Sequence, residues 1–209
     1  VYDGTSWTNG VNYPTATYEL GSGNGTSGSS SALGFGGNGN ISATNEYNVS
    51  ATITTGAAWS AGGALNTGRR NSAGSGSQTA GLVFGGAVSP PTDTAYSETY
   101  NGTSFTEGNN LNTARDALAS SGTSTAALAF GGYNEAAEDH SSATEEYGGT
   151  SWTNGNNMNS GRPALAGAGT QTAALAAGSA PPSLPSKNLT EEYDGTNWSV
   201  ANVINTARD

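Results

Sequence analysis

Ala126-Ala127-Leu128-Ala129-Phe130-Gly131-Gly132, followed after a polar loop by Ala143-Thr144-Glu145-Glu146-Tyr147-Gly148-Gly149-Thr150-Ser151-Trp152, is one unit of a repeat that organises the chain. The first segment is a continuous apolar run closed by two glycines, the pattern of a short strand covered on both faces. The second alternates, so Tyr147 and Glu146 point to opposite faces, and Gly148-Gly149 turns tightly into Ser151-Trp152-Thr153. Upstream, Ala117-Leu118-Ala119 enters a further strand and Ser121-Gly122-Thr123-Ser124 reads as the turn that leaves it. The unit is therefore four short strands. No segment carries the i, i+3, i+4, i+7 apolar stripe of a helix, and the density of Gly and Asn opposes one throughout.

The unit returns along the sequence, and a fixed period of this length decides the architecture. Tyr2-Asp3-Gly4-Thr5-Ser6-Trp7 recurs as Tyr100-Asn101-Gly102-Thr103-Ser104-Phe105, as Tyr147 to Trp152 and as Tyr193-Asp194-Gly195-Thr196-Asn197-Trp198, with a stretched copy from Tyr47 to Trp59. The apolar run ending in glycine recurs as Gly34-Phe35-Gly36-Gly37, Val83-Phe84-Gly85-Gly86, Ala129-Phe130-Gly131-Gly132 and, degraded, Ala176-Ala177-Gly178-Ser179. From Trp59 the aromatic position steps by 46, 47 and 46 residues to Phe105, Trp152 and Trp198, while the step from Trp7 is 52 because the early units carry insertions. The sequence is read as one repeat domain over 1–209, with blade-like units at 15–66, 67–112, 113–159 and 160–205, a partial unit at 1–14 and a trailing 206–209. Five Tyr/Trp blocks against four Gly-Gly blocks leave half a unit unpaired. The expectation is a fragment of a longer propeller-type chain, or an arc of about five blades.

Composition alone argues against a fold. Leu, Ile, Val and Phe make up only 25 of 209 residues and the formal charge is -10, a combination usual for disorder. The few large side chains recur in step, however, so each can fill an equivalent core site. The positions expected to do so are Tyr2, Trp7, Tyr47, Trp59, Phe84, Tyr100, Phe105, Phe130, Tyr147, Trp152, Tyr193 and Trp198. With 16 acidic against 6 basic residues, a nucleic-acid backbone or an anionic membrane is repelled. No stretch approaches 18 apolar residues and the first residues carry no basic and apolar leader pattern, so neither membrane insertion nor a signal peptide is expected. The absence of Cys removes disulfides, thiolate metal sites and cysteine nucleophiles.

Four antiparallel strands repeated at this interval suggest an all-β propeller whose small sheets hide their apolar faces against one another. The order of apolar strand, Gly-Gly, variable loop, Tyr, short turn, Trp and an Arg-bearing linker such as Asn112-Thr113-Ala114-Arg115 resembles the kelch motif. The fold class expected is thus a kelch-like β-propeller of four-stranded antiparallel blades. Its departures are a shorter Tyr-to-Trp gap than kelch units usually have and unusually small strand side chains, which imply light packing. The near-identity of the later units also resembles repetitive kelch-type proteins of marine phages and metagenomes.

The resemblance does not bring catalysis with it. Kelch domains include copper oxidases similar to galactose oxidase, which need a Cys-linked Tyr and two His ligands, whereas this chain has no Cys and only His140. A single His in the polar loop Glu135-Ala136-Ala137-Glu138-Asp139-His140 reads as solvent-facing and makes no triad. The Asp-Gly-Thr-Ser-Trp block is similar to the Asp-box turn of sialidase propellers, with the Asp-to-Trp separation one residue short. Asp3 and Asp194 are read instead as acceptors for the following turn's backbone. The acidic stretch from Glu135 to Glu146 could attract Ca²⁺, yet it lacks the alternating spacing of a calcium loop, so no cofactor is assigned. Sequons at Asn24, Asn101 and Asn188 are expected by chance in a chain this rich in Asn and Thr.

Every later linker carries an arginine: Arg69 with Arg70, Arg115, Arg162 and Arg208. The linkers and the loops after Gly-Gly should open on one face, and those loops differ most between units (Ala87 to Pro91, Tyr133 to Glu135, Ala180 to Pro185). In kelch substrate adaptors, linker arginines line a pocket for acidic peptides, and the resemblance implies that these five could grip carboxylates or sulfates. A structural alternative has the same arginines bonding backbone carbonyls or stacking on a neighbouring blade. The function expected is a non-catalytic binding module, an adhesin of a cell or virion surface taking a glycan or protein partner. The alternative is a purely structural repeat, a spacer or decoration on such a surface.

Overall fold

The computed structural model describes residues 21–24, 31–35, 44–48, 58–89, 92–179 and 188–205. Every regular element among them is a β-strand. Four sheets share one plan. The first holds β1 (Gly21–Asn24), β2 (Ser31–Phe35), β3 (Thr44–Asn48) and β4 (Ala58–Ala61); the second β5 (Ala73–Ser77), β6 (Ala80–Phe84), β9 (Ser97–Tyr100) and β10 (Phe105–Glu107). The third holds β11 (Ala119–Gly122), β12 (Ala127–Phe130), β15 (Thr144–Tyr147) and β16 (Trp152–Asn154); the fourth β17 (Ala166–Gly169), β18 (Ala174–Ala177), β19 (Thr190–Tyr193) and β20 (Trp198–Val200). In each, consecutive strands pair antiparallel, and the register sets Tyr opposite its aromatic partner: Tyr47 with Trp59, Tyr100 with Phe105, Tyr147 with Trp152 and Tyr193 with Trp198. The first two sheets also join edge to edge, where β1 and β5 run parallel with Gly23 beside Gly74.

Two local details differ from the sequence reading. Ser121 and Gly122 belong to β11, so the turn begins two residues later than expected; Gly122 takes a φ of 93°, which lets the strand continue into the turn without a side chain. The loops after Gly-Gly also contain strands of their own, the small hairpins β7 (Ala87–Val88) with β8 (Thr92–Asp93) and β13 (Tyr133–Asn134) with β14 (Asp139–His140).

The small residues of the first strand in each sheet have a steric cause. A Cβ on Gly167 of β17 would lie 2.4 Å from the Ser120 carbonyl oxygen and 2.8 Å from the Phe130 ring. Strands this close are stitched by serine hydroxyls: Ser120 donates to the Gly74 carbonyl at 2.7 Å and Ser121 to the Thr170 carbonyl at 2.9 Å. The large side chains fill the space outside this inner ring. Phe84 meets Trp152 at 4.7 Å between ring centroids, and Phe130 meets Trp198 at 4.9 Å, so each blade's outer Trp packs on the preceding blade's Gly-Gly strand. Leu118 and Leu111 join the first cluster, Leu165 and Met158 the second. The core is therefore small in residue number and filled at fixed intervals, which reconciles the apolar-poor composition with a folded chain.

The paired glycines set the blade spacing. Gly131 has a φ of 67°, and a Cβ there would meet Leu165 at 2.7 Å and the Arg162 carbonyl oxygen at 2.8 Å. Without that Cβ the next linker closes down, and the Gly132 N–H donates to the Arg162 carbonyl at 2.9 Å, as the Gly86 N–H does to Arg115 at 3.0 Å. A second tie lies nearer the inner ring. Asn71, Ala117 and Ala164 occupy equivalent places with φ of 52°, 49° and 50°, and the N–H of Ala117 donates to Asn71 (2.9 Å), that of Ala164 to Ala117 (2.7 Å). These bonds hold two alanines in a left-handed conformation they would otherwise avoid.

Candidate binding face

In the second and third blades the linkers and the loops after Gly-Gly do leave by one face. Arg70 and Ala87 exchange backbone hydrogen bonds at 3.0 and 2.9 Å, and Asp116 and Tyr133 exchange theirs at 3.0 and 2.8 Å, so each entering linker lies against its own blade's small hairpin. The side chains of three linker arginines do not join that face. Arg69, Arg115 and Arg162 are completely enclosed, each against a carboxylate from the third strand of its blade: Glu98 at 2.9 Å, Glu145 at 2.5 Å and Glu191 at 2.9 Å.

The surroundings of these pairs are built from the repeat. Arg162 donates to Glu191 Oε1 and to the Leu189 carbonyl at 2.7 Å, while the Asn159 backbone N–H and side-chain amide donate to Glu191 Oε2 at 2.7 and 2.9 Å. Arg115 and the Asn112 backbone N–H likewise donate to Glu145, while the Asn112 side-chain amide donates instead to the Trp152 carbonyl and to Asn154 Oδ1. In the second blade Asn66 still donates twice to Glu98 Oε2, but Arg69 and Glu98 Oε1 meet as charges at 2.9 Å without an aligned N–H, and that oxygen accepts no hydrogen bond. Burial pulls all three guanidinium pKa values down and the adjoining carboxylates pull them back up. The expectation that Arg69, Arg115 and Arg162 grip an anionic ligand is therefore corrected: a guanidinium with no exposed surface and a buried carboxylate beside it has nothing to offer one. Arg208 lies outside the described residues.

What the face does present is mixed and mostly acidic. Arg70 is partly exposed and is the only arginine or lysine among the described residues with any open surface. Near it, the Asn71 side-chain amide donates to Asp116 Oδ2 at 3.0 Å, and the Glu135 backbone N–H donates to Asp93 Oδ2 at 2.6 Å, linking the hairpins of adjacent blades. Partial burial raises the pKa of both Asp93 and Asp116; Arg70 opposes this in each. Tyr133 and His140 stand opposite one another across β13 and β14, ring centroids 5.9 Å apart, with Glu135, Glu138 and Asp139 exposed around the turn. The acidic stretch considered for Ca²⁺ is divided: Glu145 turns inward to Arg115, and Glu146 accepts from the Tyr193 hydroxyl at 2.6 Å. No group of three or more potential metal ligands occurs among the described residues.

No protein-family model and no curated protein matches this sequence. In structure the chain is similar to YjhT, with a TM-score of 0.75 and 12% identity, over 94% of this chain and 68% of that one. The fold is that of a β-propeller. At this identity the likeness concerns the fold alone, so what the propeller binds has to be read from its own residues.

The opposite face of the propeller carries the short turns between third and fourth strands, and these satisfy themselves. Asp194 Oδ1 accepts from the backbone N–H groups of Thr196 (2.9 Å) and Asn197 (2.8 Å), and Asn101 does the same with Thr103 and Ser104. Those bonds hold the Asp194 carboxyl below the usual carboxylate range. Asp3 lies outside the described residues, as do Tyr2 and Trp7 among the expected core aromatics. Tyr47 and Trp59 are backbone partners in the register of β3 and β4, and Phe84, Tyr100, Phe105, Phe130, Tyr147, Trp152, Tyr193 and Trp198 are all buried. The sequence reading missed the glutamates at 98, 145 and 191. Their signal was available, since each stands two residues before the blade's buried Tyr and so shares its face.

Proposed function

We propose that this propeller is a non-catalytic binding module that takes a glycan or a protein on its loop face, serving as an adhesin of a cell or virion surface. One observation carries the reading. The side chains that vary from blade to blade (Arg70 against Asp116, Val88 against Asn134, Asp93 against His140) collect on one face, while the scaffold beneath repeats its Arg–Glu and Asn–Glu bonds with little change. A constant frame with one varied face suits recognition. The ligand differs from the anionic one that exposed arginines would have implied, because the face offers carboxylates, amides and an aromatic ring with a single cation.

The structural alternative, a surface spacer, draws support from the same arginines, now braces within each blade. Binding of the purified chain to arrays of surface glycans and to whole cells tests the two. A Tyr133→Ala/Glu135→Ala variant should lose binding with an unchanged melting temperature, while Thr150→Ala on the opposite face should retain it. A folded chain that binds nothing on either array or cell supports the spacer and overturns the module.

A further inference from the structure

The second blade departs from its neighbours where β9 begins and β10 ends. Tyr96, Ser97 and Glu98 on one side, with Glu107, Gly108 and Asn110 on the other, enclose a cavity of about 300 Å³ on the loop face. In the third blade the equivalent residues are Ala143, Thr144 and Glu145 with Asn154, Gly155 and Asn157. In the fourth they are Leu189, Thr190 and Glu191 with Val200, Ala201 and Val203. Of these three blades only the second places an aromatic ring, a carboxylate and an amide around this opening, and Tyr96 is 45% exposed there.

The floor differs as well. Thr144 Oγ1 accepts the Trp198 indole N–H at 2.9 Å, and Thr190 donates to the Asn202 carbonyl. Ser97 replaces that threonine, and its buried hydroxyl makes no hydrogen bond; the Trp152 indole N–H is correspondingly without a partner. Glu98 Oε1, like its counterparts in Glu145 and Glu191, is taken up by the arginine of its own blade, 2.9 Å from the Arg69 guanidinium. Buried polar atoms are normally bonded, so the unpartnered Ser97 hydroxyl sets the base of this cavity apart from the same place in the third and fourth blades.

We propose that this cavity is a saccharide subsite for a neutral or amine-bearing pyranose ring. Its apolar face lies on Tyr96, its hydroxyls or amine donate to Glu107 and Asn110, and its edge lies over Gly108, where no side chain stands in the way. The volume suits one sugar ring. Uronic and sulfated sugars are disfavoured, because the rim and floor are carboxylates whose nearest guanidinium, Arg69, is enclosed. The assignment rests on the reading of the loop face as the binding face and narrows it to a ligand class and a blade.

Gly108 supplies a clean test. A Cβ there would sit 3.6 Å from the Ser97 carbonyl oxygen and 4.0 Å from its hydroxyl, ordinary contact, and the fourth blade already carries Ala201 at this place. Gly108→Ala therefore narrows the cavity without straining the blade. Calorimetric or NMR titration of the whole chain with glucose, glucosamine and glucuronic acid should give saturable binding of the first two near the millimolar range, as for one ring in a shallow site. Affinity should fall at least tenfold in Gly108→Ala and in Tyr96→Ala, with melting temperatures unchanged, and glucuronic acid should bind most weakly. No saturation with glucose or glucosamine, or binding that survives both substitutions, overturns the subsite. Array or cell binding that is lost in Tyr133→Ala/Glu135→Ala but kept in Gly108→Ala would sink the subsite and leave the wider binding face standing.

Discussion

The Arg162 guanidinium meets the Glu191 carboxylate at 2.9 Å with both side chains enclosed, and the Arg162 backbone carbonyl accepts the Gly132 N–H of the preceding blade. One residue thus fastens its own third strand through the side chain and its neighbour's second strand through the backbone. Desolvating two charges largely cancels their attraction, so the pair specifies geometry more than it adds stability. Leaving one charge alone is a different matter.

Arg162→Ala or Glu191→Ala should each cost about 3–5 kcal/mol, since either strands a buried charge, whereas Arg162→Met with Glu191→Leu should unfold close to the parent chain. Urea denaturation of the three variants measures this. Equal losses in the single and double variants would show that the charges themselves, not their pairing, hold the strands.

Gly148 occupies the position where Asp194 and Asn101 cap their turns, and a Cβ there meets nothing within 4 Å. Its φ is not in the left-handed region, so a side chain brings no strain. Gly148→Asp should stabilise the chain by about 0.5–1 kcal/mol, from reduced freedom of the unfolded backbone and from the two bonds the new carboxylate accepts. A melting curve shifted upward bears this out; a downward shift does not.

Leu128 is 0% exposed and Leu175, its equivalent one blade on, is 40% exposed. Leu128→Ala should cost about 2–5 kcal/mol and Leu175→Ala less than about 1 kcal/mol in the isolated chain. Guanidinium unfolding compares them directly. A large loss at Leu175 would mean that something covers it in solution.

Asp116 and Asp93 have raised pKa values, chiefly from partial burial. An acid whose folded pKa exceeds its unfolded one binds more protons when folded; its favourable contribution is full below the unfolded value and is lost as pH rises through the folded value. The window therefore opens at the ordinary Asp value of 3.8 and extends above it. Asp116→Asn keeps an acceptor for Asn71, removes the titration and takes a charge away from Asp93. Its stability profile above that value should be flatter than the parent's in melts recorded across pH. An unchanged slope would place the pH dependence elsewhere.

The fold was legible because a propeller made of near-identical units repeats its signals. Each apolar run with its Gly-Gly, and each Tyr with its aromatic partner, is a local pattern whose period states the blade. The candidate site was legible only in part. The loop face follows from strand reversal and loop variation, but Tyr96 hid in a loop as an aromatic out of step with the repeat, and nothing local marked Ser97 as lacking the partner that Thr144 has.

The amino-acid sequence by itself determined the four-strand unit, its interval and the core positions, because alternation, glycine placement and aromatic spacing act between residues close along the chain. Tertiary structure alone decided the fate of the arginines. Arg115 and Arg162 find Glu145 and Glu191 some 30 and 29 residues away, across two turns and a loop. An exposed, ligand-gripping arginine and an enclosed, carboxylate-paired one have the same local sequence; which of them exists depends on whether the third strand of the blade brings a carboxylate to the same buried place.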